Sequence, residues 1–260
     1  MQNERHMNQP IHDWIVPNWP APANIKAFVT TRNGGFSTGP HASFNLGLRA
    51  DDDPQIVARN RALLQQYLPQ TPKWLRQVHG ARVVDADAID PAGESPPADA
   101  SVARHAGTVC PVMIADCLPL LFTNRTGTHV AAAHAGWRGL AGGVIANTVQ
   151  TMCNAGNAGD APDDLLAYLG PGIGPTAFEV GQDVYDAFVA QDAQAQRAFA
   201  GHTPGKWLAD LFTLARRALN HAGVTEVYGG GLCTYSDPAR FYSYRRDKVT
   251  GRMAAFIWRQ

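Results

Sequence analysis

Hydrophobic positions along this chain fall into short β-branched runs, which alternate with longer stretches of helical spacing. The short runs predict strands at residues 27–31, 74–78, 82–84, 109–115, 120–123, 130–133, 165–169, 224–228, 240–245 and 253–258. Helical spacing predicts helices at residues 51–67, after Trp137, and at residues 183–200 and 208–222. The first helix begins in an Asp-Asp-Asp-Pro sequence, which supplies an acidic cap and an early proline. Thr250-Gly251 predicts a hairpin between the last two strands.

The order of these elements favours an α+β fold. Several adjacent strands precede the first pair of long helices, so strands and helices do not alternate as in a doubly wound sheet. Residues 1–25 contain four prolines and predict an irregular N-terminal lead-in. We expect residues 26–260 to form one compact catalytic domain with mixed β-sheets. A chain of this length buries a full hydrophobic core without disulfides or structural metal ions.

The charge balance narrows the function classes. The chain carries 22 Lys and Arg against 22 Asp and Glu, whereas nucleic-acid binders usually carry a basic excess. Its first residues are polar and lack the apolar segment of a signal peptide, and the apolar run at 118–122 is far too short to span a bilayer. We therefore expect a cytoplasmic protein without nucleic-acid or membrane partners. A monomer is also expected, since no apolar helix face stands out.

Three potential metal ligands lie in motifs marked by glycine or proline, each at a predicted strand end. His79 lies in Gln-Val-His-Gly, Cys117 in Ala-Asp-Cys-Leu-Pro, and His134 in Ala-His-Ala-Gly-Trp-Arg-Gly. Two imidazoles and one thiolate suit zinc, and three protein ligands leave a position open for water or substrate. The pattern indicates a catalytic metal centre, although a buried His or Cys is more often simply packed.

Asp116, the neighbour of Cys117, has three interpretations. Its carboxylate could orient His79 or His134, since metal-binding histidines usually have such a partner. It could also transfer a proton in catalysis. The third interpretation is a cap at the end of a strand. The sequence does not choose between them.

Three further residues are candidates for substrate binding. Arg32 lies beside two glycines, where its guanidinium and nearby amides suit phosphate, but a surface arginine in a turn explains it as well. Asn45 could bind a sugar hydroxyl or base, or could be a turn asparagine. If residues 242–247 lie in one strand, Arg246 would share a face with Tyr242 and Tyr244 and could bind an anion beside a stacked base. The alternative is an edge strand with solvated arginines.

Together these motifs resemble a bacterial laccase-like family. The family is named for multicopper polyphenol oxidoreductases and was later described as purine nucleoside phosphorylases with adenosine deaminase activity. The resemblance covers roughly residues 26–259. It rests on the three ligand motifs and on Thr-Thr-Arg-Asn-Gly-Gly at 30–35, Ser-Phe-Asn-Leu-Gly at 43–47, Leu-Gly-Pro-Gly-Ile-Gly-Pro at 169–175 and Phe-Tyr-Ser-Tyr-Arg-Arg-Asp at 241–247.

The resemblance implies a fold in which sheets are sandwiched between helices. It implies a zinc site made by His79, Cys117 and His134. The implied reactions are phosphorolysis of adenosine, inosine, guanosine and methylthioadenosine, and deamination of adenosine. In this scheme Arg32 and Arg246 would hold phosphate and Asn45 would help to fix the nucleoside.

Other functions use the same residues. Cys117 could be the nucleophile of a thiol hydrolase or amidase, with His134 or His79 as its base, acting for example on peptidoglycan precursors. A copper-dependent polyphenol oxidase is less favoured than zinc chemistry, because multicopper sites need many more histidines. A structural zinc protein would need a fourth ligand motif, and none is apparent in the sequence.

Overall fold

The computed structural model describes residues 13–155 and 161–260. The first twelve residues of the predicted lead-in and residues 156–160 of a predicted polar loop lie outside these ranges. The described part of the lead-in packs on the domain. Ile15 bridges to Val29, and Trp14 stacks on Phe28 at a centroid distance of 4.7 Å.

A six-stranded mixed sheet forms the centre of the molecule, with the strand order β11-β7-β5-β6-β3-β2. Its strands are β2 (Val83–Asp85), β3 (Ala100–Ala103), β5 (Leu118–Asn124), β6 (Val130–Ala135), β7 (Leu165–Leu169) and β11 (Glu226–Gly229). The inner pairs β5–β6, β5–β7 and β3–β6 are antiparallel, and the outer pairs β2–β3 and β7–β11 are parallel. Every residue of β5 and β6 is buried, because both faces of this sheet are covered.

Two smaller antiparallel sheets complete the β structure. One has the order β1-β12-β4 and consists of β1 (Ile25–Val29), β4 (Cys110–Ile114) and β12 (Met253–Arg259). The other has the order β8-β10-β9 and consists of β8 (Glu179–Gly181), β9 (Phe199–Gly201) and β10 (Lys206–Ala209). The described helices are α1 (Pro54–Gln65), α2 (Trp137–Ala141), α3 (Val144–Ala155), α4 (Gln182–Val189), α5 (Leu211–His221) and α6 (Tyr244–Asp247).

Side-chain alternation along the strands builds the layers. Leu121 of β5 packs towards the β1-β12-β4 sheet, whereas its neighbours Leu120 and Phe122 pack towards helices α3 and α5. Helix α1 covers the outer face of the small sheet, where Leu64 joins the cluster around Phe256. The result is the predicted α+β arrangement of mixed sheets sandwiched between helices. None of the described helices has the length and hydropathy that a bilayer crossing needs.

The predicted start of α1 is confirmed in detail. The Asp53 carboxylate accepts a hydrogen bond from the Gln55 amide at 2.8 Å, and Pro54 occupies the first turn. This side chain satisfies an amide that has no partner within the helix. A local signal of this kind needs no tertiary contact, which is why the sequence was sufficient.

Two strand predictions are wrong. Residues 240–245 form no strand. Phe241 and Tyr242 are buried in an irregular segment, and helix α6 begins where the Ser243 hydroxyl accepts from the Arg246 amide at 3.2 Å. The hairpin expected at Thr250-Gly251 is therefore absent. Residues 74–78 make only an isolated bridge, between Arg76 and Pro97. A short apolar run has the same sequence pattern in a strand and in a buried turn. Whether it forms a strand depends on a neighbouring segment with which it can pair.

The helix predicted at 183–200 is too long. Helix α4 ends at Val189, and the Asp192 carboxylate then caps a separate 3-10 turn by accepting from the Gln194 amide at 3.0 Å. Strands β3, β8, β9 and β10 were not predicted. Strand β3 reads Ala-Ser-Val-Ala, and its small residues carry little β signal.

Candidate active site

The β5–β6 hairpin brings Cys117 and His134 together. Cys117 directly precedes β5, and His134 lies near the end of β6 opposite Pro119. The ends of these two antiparallel strands therefore place a thiol and an imidazole on the same edge of the central sheet. Gly136, just beyond β6, allows the close approach. A Cβ at Gly136 would lie 2.9 Å from Cys117 Sγ and 3.0 Å from His79 Cδ2.

His79 reaches the same edge from the loop that precedes β2. Its backbone has a φ of 60°, a left-handed conformation that is uncommon for residues other than glycine. The Asp99 carboxylate holds this loop, because it accepts hydrogen bonds from the amides of Val78 (3.1 Å), His79 (2.9 Å) and Gly80 (2.7 Å). His79 itself is exposed, so its ring is available to a ligand.

Asp99 also holds His134. Its Oδ1 lies 2.9 Å from His134 Nδ1, and its carbonyl oxygen accepts from the His134 amide at 2.7 Å. The register of β3 against β6 places the two residues side by side. With Nδ1 engaged, Nε2 of His134 is the nitrogen left for a metal, as in the carboxylate–histidine pairs of metal sites. Sequence reasoning missed Asp99; its one signal is a lone carboxylate in a run of small apolar residues.

The three ligand atoms lie close enough to hold one metal ion. All lie within 4.8 Å of one another, and Cys117 Sγ is 3.8 Å from His79 Nε2. Two such donors on a tetrahedral zinc ion are about 3.5 Å apart. The two imidazole rings meet nearly edge to face, with centroids 4.9 Å apart. Nitrogen and sulfur donors at this spacing fit a metal of the zinc type.

Electrostatics favour the ligand form of the thiol. Burial by itself raises the pKa of Cys117, but the charge and hydrogen bond of His134, and then His79, outweigh burial and lower this pKa to about 6. Burial by itself lowers the pKa of His134, but Cys117 and Asp99 outweigh it and raise this pKa to about 9. Without a metal the pair is therefore a thiolate beside an imidazolium at neutral pH.

Asp116 stands beside the triad with partners of its own. Its Oδ1 accepts from the Thr234 hydroxyl at 2.6 Å, and its Oδ2 accepts from the Arg245 amide at 2.6 Å. The carboxylate thus ties the first turn of α6 to the loop that carries Cys117. Asp99, not Asp116, is the residue that orients His134. A part for Asp116 in proton transfer stays a prediction.

The three predicted substrate residues have protein partners. Arg32 donates from Nε to the Ala42 carbonyl at 2.9 Å and from Nη1 to the Pro238 carbonyl at 3.1 Å. Asn45 is fully buried, and its Oδ1 accepts from the Arg252 amide at 2.8 Å.

Arg246 is more fully engaged. Its guanidinium donates to Asp247 and to the carbonyls of Thr234, Tyr235 and Phe241 over distances of 2.7–2.9 Å. Arg32, Asn45 and Arg246 do not belong to the described residues that line the cavity over the triad.

That cavity has a volume of about 620 Å³, a size typical of small-molecule sites. Its floor includes His79, Cys117 and His134, and its walls include Trp74 and the half-exposed ring of Tyr244. The walls also carry four arginines, which the sequence did not single out: Arg49, Arg61, Arg76 and Arg252.

The chain is similar over nearly its whole length to proteins named purine nucleoside phosphorylase. A protein of Pseudomonas aeruginosa named purine nucleoside phosphorylase is 53% identical over 248 residues, covering 95% of this chain and 98% of its own length. The Escherichia coli purine nucleoside phosphorylase YfiH is 52% identical, with 94% and 98% covered.

Two solved structures have the same fold. The Neisseria meningitidis protein NMB0706 superposes with a TM-score of 0.90 at 50% identity, covering 95% of this chain and 99% of that one. YlmD of Geobacillus stearothermophilus superposes with a TM-score of 0.89 at 33% identity, with 97% and 98% covered. A family model described as multi-copper polyphenol oxidoreductase laccase matches residues 26–260. This match spans all three ligand motifs, and the chain belongs to that family.

Proposed function

We propose that this protein is a zinc-dependent purine nucleoside phosphorylase that acts on adenosine, inosine, guanosine and methylthioadenosine and also deaminates adenosine. The observation that carries the proposal is that the His79–Cys117–His134 triad lines a cavity of about 620 Å³, which has room for a nucleoside. Relatives at 53% and 52% identity that carry the name purine nucleoside phosphorylase support the same reaction class.

The donor set favours zinc over copper. The described ranges contain one group of three metal-binding side chains, whereas a multicopper enzyme needs several histidine-rich sites. His79, Cys117 and His134 would hold the zinc ion, which would supply a Lewis acid and a bound water of lowered pKa, the chemistry that deamination requires. Asp99 fixes the tautomer and the direction of His134.

Phosphorolysis needs a nucleoside and a phosphate in one cavity. An oxygen of phosphate forms a bond to the anomeric carbon of the sugar while the bond from that carbon to the purine nitrogen breaks. The base leaves with the electron pair of that bond and takes up the proton that hydrogen phosphate gives up, which yields a sugar 1-phosphate and a free base. The aromatic side chains of Trp74 and Tyr244 on the cavity walls suit stacking with a purine.

Asn45 and Arg246 fit this function as positioning residues, and a role for Arg32 in phosphate binding stays a prediction. Asn45 accepts a hydrogen bond from the backbone amide of Arg252, a cavity residue. Arg246 donates to the Thr234 carbonyl and so fixes the loop around Thr234. Asp116 links that loop to the triad through Thr234. Each is therefore expected to act on the substrate through the shape of the cavity walls.

The decisive assay incubates purified, zinc-loaded protein with inosine, with and without phosphate, and follows hypoxanthine by chromatography. We expect base release only with phosphate, and its loss in Cys117→Ala. Cys153→Ala, which removes a thiol outside the triad, should retain activity. Adenosine under the same conditions tests deamination through release of ammonia. Absence of turnover in metal-replete protein would contradict the proposal.

A thiol hydrolase or amidase, for example of peptidoglycan precursors, is the second candidate. The lowered pKa of Cys117 beside two imidazoles favours it, because a thiolate is the nucleophile in such enzymes. Metal analysis separates the two functions. A stoichiometric zinc ion on Cys117 occupies the sulfur and excludes nucleophilic attack by it. A monomer in the cytoplasm stays a prediction for either function.

A further inference from the structure

The charged residues that line the cavity are all basic. Its described lining contains four arginines and no aspartate or glutamate, although the whole chain has as many acidic as basic residues. None of these four arginines forms a salt bridge within residues 13–155 and 161–260. Buried or half-buried cations without a carboxylate partner are costly, so the cavity favours an anion from solution.

Arg252 and Arg61 converge on one short segment of chain. Arg61 donates from Nε (2.9 Å) and Nη2 (2.8 Å) to the Leu46 carbonyl, and its guanidinium lies 4.1 Å from the centre of the Trp74 ring. Arg252 packs across the next residue, since a Cβ at Gly47 would lie 2.7 Å from Arg252 Cγ. The Leu46–Gly47 backbone therefore sets both cations on the same wall.

Both cations keep donors for a ligand. Arg61 uses Nε and Nη2 on the protein, and its Nη1 has no hydrogen bond to the described residues. Arg252 donates from Nη1 to the Thr250 and Gly251 carbonyls, which leaves Nε and Nη2 without a hydrogen bond to the described protein. Burial lowers the pKa of Arg61 to about 10, and burial lowers that of Arg252 against the opposing charges of Cys117 and Asp116. Both side chains stay cationic at neutral pH, because a guanidinium group is not deprotonated in proteins.

Arg76 adds a third guanidinium group to the cavity lining. Its Nε is shielded from solvent and has no hydrogen-bond partner in the described structure, although the residue lines the cavity. Because this Nε is shielded, only the terminal amino groups of Arg76 can donate to a ligand in the cavity, and they form no hydrogen bond to the described protein. Arg49, on the exposed rim, carries a fourth cation and donates no hydrogen bond from its side chain to the described residues.

We infer that Arg61, Arg76 and Arg252, with Arg49 at the rim, form the binding site for a phosphoryl dianion beside the metal triad. Guanidinium groups bind phosphate oxygens in pairs, and three such groups match a tetrahedral dianion. The inference rests on the proposed function, in which this anion is the attacking phosphate. The same chemistry would bind the phosphate ester of a nucleotide, so both sources require a test.

Titration calorimetry on zinc-loaded protein separates the sources, with inorganic phosphate in one arm and adenosine monophosphate in the other. We expect saturable phosphate binding that weakens about tenfold or more in Arg252→Gln, the loss expected for charged hydrogen bonds. Arg49→Gln should weaken it less, and this exposed substitution carries little risk to folding. Arg252→Lys should recover only part of the affinity, since lysine keeps the positive charge but lacks the planar guanidinium group that donates two hydrogen bonds to one phosphate.

Arg59→Gln is the matched control. Arg59 lies on the same helix as Arg61 and also stacks on an aromatic ring, that of Phe36, but it does not line the cavity. Phosphate binding should be unchanged in this variant. Unchanged phosphate binding in both Arg252→Gln and Arg49→Gln, or an equal loss in Arg59→Gln, would overturn the site. Binding of adenosine monophosphate alone, lost in Arg252→Gln, would keep the site and assign it to a phosphate ester.

Kinetics distinguish failure of the site from failure of the proposed function. We expect Arg252→Gln to raise the KM for phosphate about tenfold or more while the KM for inosine changes little. Normal phosphorolysis with an unchanged KM for phosphate would refute the site and keep the function. Arginine-dependent phosphate binding without any release of base would keep the site and refute the function.

Discussion

Asp99 Oδ1 lies 2.9 Å from Nδ1 of His134, and the same carboxylate accepts hydrogen bonds from the backbone amides of Val78, His79 and Gly80. One buried side chain therefore positions two of the three candidate metal ligands. The His79 loop and strand β6 share no other carboxylate among the described contacts. The geometry of the triad depends on Asp99 as much as on the ligands themselves.

Asp99→Asn should weaken metal binding. The substitution keeps the size of the side chain but removes the charge that holds His134 and the His79 loop, so we expect zinc affinity to fall about 10- to 100-fold. Competition with a chelator measures this affinity. Asp163→Asn, at an exposed position, is the control and should bind zinc normally. Zinc affinity within twofold of the original protein would show that Asp99 does not act through the ligands.

Gly136→Ala should disrupt the triad while the fold persists. The added methyl group would lie 2.9 Å from Cys117 Sγ and 3.0 Å from His79 Cδ2, closer than van der Waals contact allows. We expect bound zinc and turnover to fall together, as seen by metal analysis and the inosine assay. Gly201→Ala is the matched control, since a Cβ there meets no atom within 4 Å. Full zinc content in Gly136→Ala would contradict this account.

Metal-free protein should show pH-dependent alkylation at Cys117. Its pKa of about 6 means that the thiolate persists above pH 6 and is lost as the pH falls below it. The rate of reaction with iodoacetamide, mapped by mass spectrometry, should be half-maximal near pH 6, not near the ordinary thiol value of about 8.5. In His134→Gln the midpoint should move upwards, because the cation beside the thiolate is gone.

Cys110 provides an internal control for this experiment. It is fully buried, and burial raises the pKa of its thiol to about 12. We therefore expect no modification of Cys110 in folded protein over the same pH range. Half-maximal labelling of Cys117 near pH 8.5, or equal labelling of both cysteines, would disprove the thiolate–imidazolium pair.

Asp52 should make stability pH-dependent in the acid range. Burial by itself would raise its pKa, but hydrogen bonds from Asn45 (2.9 Å) and Ser37 (2.7 Å) outweigh burial and lower it. A lowered folded pKa gives stability that is present above the unfolded value of about 3.9 and is lost as the pH falls through the folded value.

The measurement is the free energy of unfolding of Asp52→Asn in urea, compared with the original protein from pH 7 to pH 3. Near pH 7 we expect a loss of about 1–3 kcal/mol, typical of hydrogen bonds to a charged group. The difference should shrink below about pH 4 as the original carboxylate takes up its proton. A difference that is constant across this range would mean that the charge of Asp52 contributes nothing.

Local signals in the sequence were enough for part of this protein. The Asp53-Pro54 start of α1 depends on neighbouring residues alone, and the apolar runs beside Cys117 and His134 correctly predict strands β5 and β6. The α+β class followed from the order of elements. These features share one physical basis, because backbone preference and capping act over a few residues.

Only tertiary structure decided the rest. Asp99 lies 20 residues from His79 and 35 from His134, so no local pattern connects it to either. Arg246 looked available to an anion, but the buried turn before α6 occupies its donors with carbonyls. Arg252 belongs to no recognisable sequence motif. It lines the cavity because β12 begins beside the loop that contains Asn45. The sequence determined which side chains can do chemistry, and packing between distant segments determined which remain free to do it.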